Sequence, residues 1–186
     1  MKIIIISDIF GRTPEFEDIA SELSSNFPHM TLIDPYESKP IEFKNESAAY
    51  TYFQQNVGIE RYKSIVSEVV SQSGREIFLI GFSVGASAVW LLSGEMGIRN
   101  DIKAICFYGS QVRDFLHIDP QIEMELFFPR HEFHFNVENL IFELSPKNYV
   151  TCHITPYLHG FMNKKSYNFD EIGYHRYLQI IKEKIA

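Results

Sequence analysis

The chain alternates short unbroken apolar runs with longer segments in which apolar residues return every three or four positions. Lys2 to Ser7 is nearly all isoleucine with no polar alternation, which predicts a strand covered on both faces, as in a parallel sheet. After the loop Asp8-Ile9-Phe10-Gly11-Arg12, Thr13 is placed to cap a helix, with Pro14 at its first position and Glu15 at its positive end. Phe16, Ile19, Ala20, Leu23 and Phe27 share one face of that helix, and Pro28 stops it. Met30 to Asp34 predicts a second strand. Residues 35–58, with Pro35 and Pro40, read as a long loop holding a short helix near Ser47 to Gln55. Ile59, Tyr62, Ile65, Val66, Val69 and Val70 then trace a helical face closed by Ser73-Gly74.

The second half repeats the alternation. Glu76 to Ile80 is a buried strand, Gly81 to Gly85 a sharp turn, and Ala86 to Leu92 a helix ending near Gly94 to Gly97. Ile102 to Tyr108, Glu123 to Phe128 and Asn148 to Thr155 are further strands. A helix from about Val137, capped by Asn136, lies between the last two. Tyr174, Tyr177, Leu178, Ile181 and Ile185 form the apolar face of a C-terminal helix. Six strands alternating with helices predict one α/β domain over residues 1–186, a mainly parallel sheet with helices on both faces. Its active groups belong just past the carboxyl ends of the strands.

Composition narrows the partners. A chain of 186 residues supports one domain with a sizeable core, and sixteen Phe and ten Tyr suit an apolar pocket. A net charge of −7 argues against a general nucleic-acid binder, which needs a basic face, but leaves room for a small anion held by local cations; Arg12 and Arg113 are candidates for that, though each reads better as a solvated surface residue. Cys106 and Cys152 lie in apolar runs and read as buried reduced thiols, consistent with a cytoplasmic location. The apolar run at the N-terminus is too short for a signal-peptide core, and no stretch approaches a membrane span.

The chemistry centres on Gly81-Phe82-Ser83-Val84-Gly85, a Gly-x-Ser-x-Gly turn between a strand and a helix, the pattern of a nucleophile elbow. A serine hydroxyl needs a base to take its proton, and an imidazole in that role needs a carboxylate behind it. His159 follows the last strand and supplies the base; His153, inside that strand, reads as packed there. Glu132 follows the fifth strand and is the candidate acid, with Glu138, Asp119 and Glu143 as nearby alternatives. Two backbone N–H groups are needed for the oxyanion, one from Val84 and one from Ile9 or Phe10. His131 and His134 are spaced i, i+3 without a third ligand, so no metal is expected. The single glycine of Phe10-Gly11-Arg12 does not make a nucleotide cradle, so no cofactor is expected either.

Ser7-Asp8-Ile9-Phe10-Gly11, Gly81 to Ala86, Phe107-Tyr108-Gly109 and His159-Gly160-Phe161 together resemble the dienelactone hydrolase family of α/β-hydrolases, over nearly the whole chain. The resemblance implies a three-layer α/β-hydrolase fold and a triad of Ser83, Glu132 and His159. It also implies that Asp8 contacts the nucleophile at rest. The best-known members carry cysteine in the elbow, aspartate as the acid, and an arginine after the His-x-Phe segment. Here these places hold Ser83, Glu132 and Met162-Asn163-Lys164-Lys165. The short link from Gly109 to Glu123 implies a minimal lid. The expectation is a serine hydrolase acting on a small carboxylic ester, thioester or lactone, with no nucleic-acid or membrane partner and the oligomeric state open. The same residues are compatible with a non-catalytic binding or scaffold protein, or with acyl transfer to an acceptor other than water.

Overall fold

The computed structural model describes residues 1–24, 30–74, 76–95 and 101–185. In chain order the first half holds β1 (Lys2–Ile6), α1 (Pro14–Ser24), β2 (Met30–Ile33), α2 (Glu46–Asn56) and α3 (Gly58–Gln72). Next come β3 (Ile77–Phe82), α4 (Val84–Ser93), β4 (Ile102–Phe107) and a 3-10 turn at Ser110–Phe115. The chain ends with β5 (Glu123–Phe128), α5 (Val137–Leu144), β6 (Val150–Ile154) and α6 (Glu171–Ile185). The strands form one sheet in the order β2-β1-β3-β4-β5-β6, and every pairing is parallel.

Strand periodicity divides the core. Ile4, Ile6, Leu79, Cys106 and Leu126 face one side, where residues of α3, α4 and α5 cover them. Ile3, Ile5, Ile80, Phe107 and Phe127 face the other, beneath α1 and α6. Both faces are buried, which is why the strands read as unbroken apolar runs. Burying each of those isoleucines stabilises the fold by about 1.5–3 kcal/mol relative to exposure.

Helix ends follow local chemistry. Thr13 Oγ1 accepts from Phe16 N–H at 3.2 Å, and Asn136 Oδ1 accepts from Asn139 N–H at 2.8 Å. Residues 35–58 hold more helix than the sequence predicts. Asn45 Oδ1 caps α2 by accepting from Ala48 N–H at 2.9 Å, and the helix runs to Asn56. Only Val57 separates it from α3, with Gly58 at φ 70° making the turn. The expected roles of Phe27, Pro28 and Gly97 lie outside the described residues. Among the described residues, no helix is long and apolar enough to cross a membrane.

The topology fixes where the site must be. From β1 the chain moves to β2 on one side, whereas from β3 it moves through β4 and β5 to β6 on the other. The crevice at the carboxyl ends of β1 and β3 is therefore the topological switch point, the place where open α/β sheets bind ligands. The loop at Asp8 and the turn at Ser83 both open there.

Candidate active site

Ser83 joins β3 to α4 with φ 51° and ψ −114°, a strained conformation for a residue that has a Cβ. The turn is tight enough that its glycines have no room for substitution. A Cβ on Gly81 would lie 2.7 Å from Ala86 Cα, and one on Gly85 would lie 2.4 Å from the Ser7 carbonyl oxygen. Ser83 N–H donates to the Phe107 carbonyl at 2.9 Å, tying the turn to β4. The serine is buried.

His159 and Glu132 arrive from neighbouring strands. Ser83 Oγ lies 3.0 Å from His159 Nε2, and His159 Nδ1 lies 2.7 Å from Glu132 Oε1. An ionised carboxylate only accepts, so Nδ1 carries the proton and Nε2 is left to accept from the serine hydroxyl. Glu132 is largely covered, with its side chain 10% exposed, which keeps water from competing for the imidazole. The extra methylene of glutamate is accommodated without loss of contact. The rival acids are elsewhere: Glu138 and Glu143 are exposed on α5, and Asp119 pairs with Lys147 at 2.9 Å.

The loop after β1 is held from several directions. Tyr36 hydroxyl donates to the Ile9 carbonyl at 2.7 Å, and Gly11 N–H donates to the Asp8 carbonyl at 3.2 Å. Phe10 N–H is not available as an oxyanion donor, a correction to the sequence expectation, because it donates to Asp8 Oδ1 at 2.9 Å. Among the described residues no acceptor engages Ile9 N–H, which leaves it as the free donor of the pair. Val84 N–H, at the first helical position of α4, has no intrahelical acceptor.

Asp8 departs from what the resemblance implies. Its hydrogen bonds go to Phe10 N–H and Asn163 Nδ2, not to the nucleophile. Desolvation pushes its carboxyl above the ordinary value, while the bonds from Asn163 and Phe10 and the nearby His159 pull it back. Glu46 adds a small further upward push.

Three residues at the site carry no assignment from sequence. Tyr108 packs its ring 4.9 Å from the His159 imidazole and adopts φ 44°, an outlier for a bulky residue. Asn163 holds Asp8, and Asn168 Nδ2 donates to the His159 carbonyl at 2.9 Å. The signal for Tyr108 was its place just past β4 and before Gly109; the two asparagines sit in a loop without periodicity.

Other candidates lie apart from this centre. His153 bonds Glu125 at 3.0 Å and stacks on Phe127 at 4.5 Å. His131 and His134 are exposed in the loop after β5. Arg12 pairs with Glu17 at 2.7 Å, and Arg113 donates to the Ser110 carbonyl at 2.6 Å while lying over Phe135. Cys106 is buried and Cys152 half-buried, and both are free thiols.

No family model matches the chain. It is 36% identical to the uncharacterized protein YczH of Bacillus subtilis strain 168 over 149 residues, 78% of this chain and 72% of that one. A Klebsiella pneumoniae protein of provisional dienelactone hydrolase assignment superposes with a TM-score of 0.75 at 15% identity, covering 96% of this chain and 83% of that one. The dienelactone hydrolase-like promiscuous phosphotriesterase P91, from metagenomic libraries, gives 0.69 at 11% identity, over 98% and 84% of the two chains. An esterase from Exiguobacterium antarcticum gives 0.63 at 9% identity, over 100% and 92%. Likeness at such identities speaks for the fold. The chain thus belongs to the family of Bacillus subtilis YczH and has the three-layer α/β-hydrolase fold of dienelactone hydrolase-like structures.

Proposed function

We propose that the protein is a serine hydrolase that cleaves a small carboxylic ester, thioester or lactone through an acyl-enzyme on Ser83. The observation that carries this reading is the unbroken contact from Ser83 Oγ through His159 to Glu132, mounted on a strained turn at the switch point. Ser83 Oγ attacks the carbonyl carbon as His159 Nε2 takes its proton, and Glu132 steadies the resulting imidazolium. The tetrahedral oxyanion faces Val84 N–H and Ile9 N–H, both at the mouth of the turn. Collapse expels the alcohol or thiol with the proton from His159; a lactone's leaving oxygen stays tethered to the acyl group. Water then attacks the acyl-enzyme, gives its proton to the same nitrogen, and releases the acid as Ser83 recovers its hydrogen.

Hydrolysis of 4-nitrophenyl butyrate, together with labelling by a fluorophosphonate probe, tests the reading. Wild type should turn over the ester and take the label, and Ser83→Ala should lose both, with kcat down by roughly 10⁴ or more. Equal turnover by Ser83→Ala would exclude the acyl-enzyme. Folded wild type that neither turns over the ester nor takes the label would favour a binding role.

A further inference from the structure

Bonds from three strand ends pin the two peptide planes that follow Asp8. In the first plane the Asp8 carbonyl accepts from Gly11 N–H and from Ser7 Oγ, each at 3.2 Å. The N–H of a trans peptide points away from its carbonyl, so these bonds also fix the direction of Ile9 N–H. In the second plane the Ile9 carbonyl accepts from Tyr36 hydroxyl at 2.7 Å, while Phe10 N–H donates to Asp8 Oδ1 at 2.9 Å. Tyr36 is itself set just past β2, where its N–H donates to Asp34 Oδ1 at 2.8 Å.

The other oxygen of Asp8 leads to the histidine. Oδ2 accepts from Asn163 Nδ2, and Asn163 stands four positions after His159 in the loop past β6. That loop is bonded to itself through Asn163: its N–H donates to the Gly160 carbonyl at 2.8 Å, and its carbonyl accepts from Ser166 N–H at 2.9 Å. Asn168 Nδ2 closes the loop on the His159 carbonyl at 2.9 Å. Asn163 Oδ1 accepts from Lys165 N–H at 2.8 Å, so turning the amide away from Asp8 would also break a bond that orders the loop of the base. A second tie, Lys164 to Asp18 at 2.9 Å, is solvent-exposed and reaches α1, not the loop after β1.

We propose that Asn163 is a positioning residue of the active site: through Asp8 it joins the loop that offers Ile9 N–H to the loop that carries His159, so that oxyanion donor and base keep one spacing around Ser83. The proposal rests on the hydrolase reading above and concerns how that site is held. Donors for a developing oxyanion work because they are fixed beforehand, and a misplacement of about 1 Å can cost roughly 10²-fold in rate. The side-chain bonds of Asp8 and Asn163 go to each other and to loop backbone, so their loss should act on the tetrahedral intermediate and not on binding of the ester.

Asn163→Ser tests it. A serine hydroxyl can keep the turn onto Lys165 N–H but is too short to reach Asp8. Lys164→Ala is the control, since it removes only the exposed tie to α1. Rates on 4-nitrophenyl butyrate are counted per site that takes the fluorophosphonate label at completion; a variant that merely folds less well loses labelled sites, not rate per site. Asn163→Ser should lower kcat by roughly 10- to 100-fold with KM nearly unchanged. It should weaken inhibition by propyl trifluoromethyl ketone by about the same factor, because the hemiketal oxyanion formed on Ser83 needs the same donors. Lys164→Ala should move neither reading. Should Asn163→Ser fail to fold, Asn163→Asp keeps an acceptor for Lys165 N–H, removes the donor to Asp8, and reads the same two quantities. Wild-type kcat and inhibition in the Asn163 variant overturn the proposal and leave the hydrolase reading standing. A raised KM at unchanged kcat also overturns it, by making Asn163 a substrate-binding residue, as do equal losses in Lys164→Ala. Folded wild type that neither turns over the ester nor takes the label removes the hydrolase reading and this proposal with it.

Discussion

His159 and Glu132 meet at 2.7 Å, Nδ1 to Oε1, from loops that follow two adjacent strands. The pairing of β5 with β6 places the loops side by side, and Thr155 N–H donating to the Phe128 carbonyl at 2.8 Å extends that register beyond the strands. Glu132→Gln keeps a side chain of similar shape but removes the charge that, in the proposed mechanism, stabilises the imidazolium. Its kcat on a simple ester should fall by roughly 10²–10⁴ with little change in KM. Glu132→Asp withdraws the carboxylate by one methylene and should fall less. Steady-state kinetics on both variants checks the order, and a Gln variant with wild-type kcat would assign the acid elsewhere.

The elbow makes a prediction about stability as well as rate. Gly85 packs against the end of β1 so closely that an added methyl would meet the Ser7 carbonyl at 2.4 Å and the Ile6 carbonyl at 2.7 Å. Both obstacles are backbone atoms of a central strand and cannot swing aside. Gly85→Ala should therefore cost about 1–3 kcal/mol of folding stability, by overpacking, and displace the proposed oxyanion donors with it. Chemical denaturation followed through the single tryptophan, Trp90, measures the loss. Trp90 is fully buried and donates to the Phe115 carbonyl at 3.0 Å, so its emission reports the core directly. An unchanged midpoint would mean that β1 yields more easily than its pairing on both sides suggests.

What was legible in the sequence is what local chemistry dictates. Unbroken runs such as Ile3 to Ile6 announce a strand buried on both faces, and Thr13 and Asn136 announce helix starts because their side chains can do nothing better with the first N–H groups. Ser83 was legible because only glycine fits two positions before it and two positions after it. Residues 35–58 were less so, since Asn45 caps α2 without a strong apolar stripe behind it: only Ala49 and Phe53 of that helix are buried. The bond from Asn163 to Asp8 was not legible at all. Asn163 is 155 positions away and reaches Asp8 through a loop whose path no periodicity encodes. The choice between Ile9 and Phe10 as donor turned on a local contact instead, Phe10 N–H to Asp8 Oδ1, two positions apart.

The two thiols should be inert in the folded protein. Burial pushes Cys106 far up, with only a small opposing effect from the Gly81 backbone, and desolvation takes Cys152 up to about 11. Since the thiolate is the reacting species, neither should be modified at neutral pH while the sheet is intact. Ellman's reagent should titrate both only after denaturant is added, and on the proposed function treatment of native protein should leave turnover of 4-nitrophenyl butyrate unchanged. Rapid labelling of native protein at Cys152 would show that β6, at the sheet edge, opens locally.

Asp8 carries a pH signature whose sign follows from its burial. Its carboxyl lies above the ordinary value of 3.8, chiefly through desolvation, so over the window between 3.8 and the folded value the native state keeps a proton that the unfolded chain has released. The resulting stabilisation is fully present below 3.8 and is lost as pH rises through the folded value. Facing groups tune that window: Asn163 and His159 from the loop after β6 and Phe10 N–H lower it, while Glu46 from α2 raises it. Asp8→Asn has no such proton to lose. Its stability relative to wild type should therefore increase as pH rises from about 4 and level off once wild-type Asp8 is ionised. The constant cost of replacing an acceptor with an amide opposite Asn163 shifts that curve vertically without changing its slope. Thermal melts of both proteins from pH 3.5 to 8 provide the measurement, and wild type gaining on the variant across that range would mean that the hydrogen bonds, not burial, govern this carboxyl.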